Sequence, residues 1–147
     1  MKSIFQEEAY NELSNRLNNL SEDKTPNWGK MNTGQMAWHC QGPLNIVLGH
    51  NNYNMKTNWF VKTFFKKSMY NDKPWRKNLP TVPVFKAQEA RDFTIEKAKL
   101  IALVNELYSQ KDKEQWVAHP LFGAFTKEQW SKMQYKHLDH HLRQFGV

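Results

Sequence analysis

The chain holds a single cysteine, Cys40, which excludes an internal disulfide. It lacks any apolar run near the roughly 20 residues that a membrane-spanning helix needs. The opening stretch, MKSIFQEEAYNELSNRL, has no continuous apolar segment of the kind that marks a secretory leader. The expectation is a protein of the reducing cytoplasm with no membrane partner. No internal repeat or low-complexity tract is present, and no two segments alternate in a way that reads as paired strands. Acidic residues are scarce in one place above all. Between Lys56 and Lys77 seven basic residues stand against Asp72 alone, so this stretch carries a net +6 of the chain's +7.

What is present suffices for one core. A chain of 147 residues fits one domain, 1–147, because chains divide mainly beyond about 250 residues. Aromatic residues at 14%, including six tryptophans, supply large apolar side chains. The mean hydropathy of -0.82 then reflects a polar surface rather than disorder.

Apolar positions predict four main helices. Phe5, Ala9, Leu13, Leu17 and Leu20 recur at helical spacing, opposite Glu7, Glu8, Asn11 and Asn15. After the polar break SEDKTPN, Asn32 or Thr33 caps a second helix bearing Met36, His39, Cys40, Leu44 and Val47, which Gly42 and Pro43 are expected to interrupt and kink. A third begins near Asp92 or Thr94 and packs Ala98, Leu100, Ile101, Leu103, Val104 and Leu107. The fourth starts at Thr126, whose spacing to Gln129 is that of a capping box, and runs to about Phe145. Between the second and third lies a proline-punctuated stretch from His50 to Arg91. It contains one short amphipathic segment, NWFVKTFFKKSMY, with Phe60, Phe64, Phe65 and Met69 expected inward. The fold class is all-α, a four-helix bundle with a long crossover between helices two and three.

The histidines carry the functional signal. Three of the six fall within KHLDHHLRQ. At about 100° per residue, His137 and His141 stand about 40° apart, with Trp130 between their directions and Leu138, Leu142 and Phe145 on the same arc. His140 turns about 100° from His141, towards a polar face of Lys132, Lys136, Asp139 and Arg143. An i,i+4 imidazole pair chelates one divalent ion in H-E-x-x-H proteases, but Leu138 occupies the position of the basic glutamate, so the protease reading fails. His39, on the apolar side of its helix, is the candidate third ligand. Three neutral imidazoles leave coordination positions open, as catalytic sites do. Spacing alone leaves the alternative open, because basic residues near a helix C-terminus also suit the helix dipole.

The motifs NWGKMNTGQMAWHC and HPLFGAFTKEQWSKMQYKHLDHHLRQFG resemble those of the DinB/YfiT-like superfamily, within it a branch of unknown function. The resemblance implies a four-helix bundle with a long crossover after helix two. It also implies a metal site of His39, His137 and His141, with nickel or zinc the usual ions, and often a homodimer. Relatives of known activity use the metal to activate a low-molecular-weight thiol for transfer or isomerisation; others have no established activity. The expected function is a metal-dependent transferase of a small thiol or similar nucleophile, or a related hydrolase or isomerase. The alternative is a non-catalytic metal-binding or stress-related interaction domain.

Other candidates read less sharply. Cys40 is a small buried residue rather than a ligand. His119 is either a pocket-mouth residue or a turn residue. Arg143 and Gln144 could orient an anionic substrate but read more readily as a solvated helix end, and His50 reads as loop. The basic aromatic segment around Trp59 to Trp75 is read as pocket wall for a small anionic substrate, not as a nucleic-acid surface.

Overall fold

The computed structural model describes residues 1–57 and 59–147. The described residues are all-helical: α1 (Glu7–Asn19), α2 (Thr33–Leu48), α3 (Trp59–Tyr70), a single 3-10 turn at Pro83–Phe85, α4 (Phe93–Ser109) and α5 (Lys127–Gln144). No strand forms among them; the one β-bridge joins His119 to Gly123. None of these helices is long and apolar enough to cross a membrane.

Local signals fix the helix starts. Asn32 accepts from the Gln35 amide at 2.8 Å while Gln35 accepts from the Asn32 amide at 3.0 Å, a reciprocal cap on α2. Thr126 and Gln129 close the same pair at the start of α5, and Asp92 accepts from the Ile95 amide to start α4. α2 ends at Gly49, whose φ of +80° suits a residue without a Cβ.

α1 and α2 each contact both α4 and α5, and α3 packs on α5. Leu13, Leu17, Leu44, Leu100, Leu107 and Leu138 meet between them, with Trp130 fully enclosed. Each such side chain contributes about 1.5 to 3 kcal/mol by leaving water. Arg16 ties α1 to α5 through Asp139 at 2.8 Å.

Four expectations change here. Gly42 and Pro43 do not interrupt α2, which continues to Leu48. Gly42 serves packing instead: a Cβ there would collide with the ring of Phe85. Ala98 is exposed, since α4 turns the arc of Leu100, Val104 and Leu107 inward. The segment 59–69 does form a helix, but Phe60, Phe64 and Phe65 are 56%, 60% and 48% exposed. They lie against one another, with Phe60 and Phe64 ring centres 4.8 Å apart, while Lys66 reaches across to the Ala124 carbonyl and the Phe125 ring. Lysine stems thus fill the contact assigned to aromatics. Lys136 is the fourth: it is 2% exposed rather than on a polar face. Its ammonium donates to the Ser68 and Asn71 carbonyls and to Asn71 Oδ1, at 2.7 to 3.1 Å. It caps the carbonyl end of α3, and burial pulls its pKa down to about 8.

Candidate metal centre

His39 comes from the middle of α2 and His137 and His141 from the last turns of α5. The structure brings one ring nitrogen of each within 4.8 Å of the others, all three side chains being buried. His39 Nε2 and His137 Nε2 are 3.1 Å apart. A tetrahedral ion bonded at about 2.0 to 2.1 Å would space its nitrogens about 3.3 Å apart, so the pair is already near the required separation.

Hydrogen bonds settle where the protons sit. Phe85 O can only accept, so His39 Nδ1, 2.9 Å away, carries the hydrogen and Nε2 keeps its lone pair. At His141 the chain of inference is longer. Gln144 Nε2 must donate to the Trp28 carbonyl at 2.6 Å, which turns Gln144 Oε1 towards His141 Nδ1 at 2.9 Å. That nitrogen therefore holds the hydrogen, and His141 Nε2 also keeps a lone pair. His137 Nε2 can satisfy at most one of these lone pairs with a proton, and its own Nδ1 is buried without a partner. The centre is rich in unshared pairs and poor in protons, a donor set that fits a Lewis acid.

Burial reinforces this state. It holds the pKa of His39 below the ordinary imidazole range. It lowers His137 and His141 further, helped by repulsion from the neighbouring histidines. The rings are neutral at neutral pH, the form in which imidazole binds metal.

Residues around the three rings complete the site. His140 is half-buried between the edges of Trp28 and Trp75, with ring centres 5.6 and 5.9 Å away, and is outside the cluster of three. Phe85 and Gln144 orient two of the rings, and Gln144, expected at a solvated helix end, is instead buried because Trp28 O and His141 hold its amide. The only hint of that contact in the sequence was the i,i+3 spacing of Gln144 to His141. Arg143 stays exposed. Cys40 is buried, contacts Met36 Sδ at 3.6 Å and has its thiol pKa raised far above the usual range by burial, so it is inert. His50 lies in an exposed loop and pairs with Glu106.

Two cavities flank the histidines. One, of about 430 Å³, is reached past Trp28, Lys30, Asn78 and Lys86. The other, of about 230 Å³, includes all three histidines and His119. Leu79, Pro80, Thr81 and Phe85 line both, so this segment stands between two approaches to one centre.

Comparison with known proteins yields one family, described as a protein of unknown function (DUF1569), matched over residues 2–146. The chain belongs to this family. The match takes in both histidine-bearing helices and the residues between them. No curated protein and no solved structure matches the chain.

Proposed function

We propose that this member of the DUF1569 family is a metal-dependent transferase that joins a small nucleophile, a low-molecular-weight thiol in the first instance, to an electrophilic acceptor. The observation that carries the reading is the pair of backbone-fixed tautomers, which turns the lone pairs of His39 and His141 into one buried, proton-poor centre beside His137. α1, α2, α4 and α5 are read as a four-helix bundle, with residues 49–92 as its crossover.

A divalent ion held by three neutral imidazoles supplies Lewis acidity and lowers the pKa of a thiol that reaches it. The other roles fall to the protein. Phe85 O and the Trp28–Gln144 relay keep two rings from rotating. The ammonium groups of Lys30 and Lys86 draw an anionic small molecule into the wider cavity. The packed core behind Trp130 keeps water from the inner side of the site. Nickel and zinc suit imidazole donors.

The test starts with untagged protein purified without added metal or chelator, analysed for metal and then loaded with nickel or zinc. Conjugation of a panel of small thiols with a neutral electrophile should depend on the ion and disappear in His137→Ala. Full metal content with no turnover across the panel would replace this reading with that of a non-catalytic metal-binding module.

A further inference from the structure

His119 has the features of a second functional group in the inner cavity, and nothing in the metal centre uses it. Its side chain is 4% exposed. The ring packs against Trp130, 5.3 Å between centres and nearly parallel, and against Phe122 and Phe125. The backbone is clamped by reciprocal hydrogen bonds with Gly123 at 2.9 and 2.8 Å, so the ring cannot swing away with its loop. Its Nδ1 accepts from the Leu121 amide at 3.0 Å. An amide can only donate, so Nδ1 is the unprotonated nitrogen and the hydrogen of the neutral ring sits on Nε2. Among the described residues that N–H has no acceptor, yet the side chain lines the cavity that holds His39, His137 and His141. That N–H is not sealed from solvent but opens on the cavity, where a ligand acceptor can take the place of water.

The walls define what that ligand is. Met55, Met69, Leu121, Phe122 and Met133 surround the space, and no Asp, Glu, Lys or Arg lines it. A charged molecule would lose its hydration there without compensation. Apart from the histidines, the polar side chains in the lining are Thr81 and Trp75, and the Trp75 indole already donates to Ser68 O at 2.9 Å. The methionines give a soft, adaptable apolar surface. The basic residues Lys30 and Lys86 belong to the other cavity.

We infer that the inner cavity binds an uncharged, apolar small molecule bearing a carbonyl-type acceptor, and that His119 Nε2–H takes that acceptor and fixes its orientation towards the histidine cluster. This rests on the transferase reading only in naming the bound molecule the electrophile; the binding itself needs no metal. The two cavities then separate the reactants by charge, anionic from the lysine side and neutral from the methionine side.

The experiment uses metal-free full-length protein and three probes of similar size: acetophenone, ethylbenzene and benzoate. Acetophenone should bind about tenfold tighter than ethylbenzene, the ratio one satisfied hydrogen bond provides, and benzoate should bind more weakly than acetophenone. In wild-type protein the ¹⁵N signal of His119 Nε2 should be that of a protonated nitrogen, and it should move with acetophenone and not with ethylbenzene. His119→Phe, which keeps an aromatic ring against Trp130, should bind both neutral probes alike. Equal affinities in the wild type, no binding of any probe, an unprotonated Nε2, or a carbonyl preference that survives His119→Phe would each overturn the inference. Wild-type protein with and without added metal separates the two readings, since His137 itself lines the cavity. A carbonyl preference in protein that takes up no metal leaves the cavity assignment standing whatever becomes of catalysis, and normal metal-dependent turnover without the preference leaves only the transferase.

Discussion

At the scale of single residues, sequence and structure agree where a side chain's direction follows from its own helix. His137 and His141 share a face because four residues make just over one turn, and His39 shares the buried arc of Met36 and Pro43. Agreement ends where a role depends on a distant backbone group. Gln144 orients His141 only because the Trp28 carbonyl, 116 residues away in sequence, holds its amide. His119 reads as either pocket or turn from sequence for a different reason: its tautomer is set by the Leu121 amide, which a non-helical fold-back at Gly123 presents to Nδ1 and no periodicity shows. Its environment gives a pH dependence of definite sign. Burial lowers its pKa from 6.5 to about 4. Between those values the unfolded chain binds a proton that the folded chain refuses, so stability is full above about pH 6.5 and declines as pH falls towards about 4. Over that window His119 alone accounts for about 3 kcal/mol. His39, His137 and His141 shift in the same direction and steepen the decline in metal-free protein. Urea unfolding of metal-free wild type and His119→Phe, near pH 7 and near pH 5, should show a shallower loss in the variant. Identical losses would mean that the folded protein does not hold His119 uncharged.

At the scale of elements, capping chemistry was legible and packing direction was only partly so. Asn32, Asp92 and Thr126 start the helices they were expected to start, because a cap needs only residues within one turn. α3 shows the limit. Hydrophobicity put Phe60, Phe64 and Phe65 inward, but α3 packs on α5 and reaches the 119–125 turn through Lys66, with Met69 and Tyr70 partly buried against the core. Phe64→Ala should therefore lower the unfolding free energy measured in urea by well under about 1 kcal/mol, as surface substitutions do. A loss of about 3 kcal/mol or more would restore the inward reading. α2 makes the opposite case, where a residue that looked like a breaker is part of the site. With no Cβ at Gly42, the Phe85 ring seats directly on the helix, and the carbonyl of that same residue holds His39 Nδ1. Gly42→Ala should cost about 1 to 3 kcal/mol through overpacking. It should also weaken metal binding by about 10- to 100-fold, the range for loss of an orienting partner. Gly42→Ala combined with Phe85→Leu should regain stability. A single variant with unchanged metal affinity would show that Phe85 does not steer His39.

At the scale of the whole molecule, the histidine cluster joins parts of the chain that are 98 residues apart, across the seam where α2, α5 and the 79–85 segment meet. Spacing within either helix cannot report such a meeting; the sequence showed only that both helices turn histidines to their apolar sides. The seam's position makes metal binding a property of the folded state. In the unfolded chain His39 is free of the other two, so an ion binds the native state far better and stabilises it in proportion to that difference. At a free metal concentration of about 100 times Kd the gain is about 2.7 kcal/mol. For a chain of this length, that corresponds to a rise in Tm of about 5 to 10 °C. Thermal unfolding of chelator-treated protein with and without zinc or nickel should show this rise in the wild type. His140→Ala should keep most of it, since His140 lies outside the cluster of three. His137→Ala should lose it, because the remaining pair cannot close the centre from both helices at comparable affinity. The comparison is sharper than metal content alone, because an ion bound at an exposed histidine would appear in elemental analysis without linking α2 to α5. A rise of equal size in His137→Ala would place the ion elsewhere on the protein, and the transferase reading would fall with it.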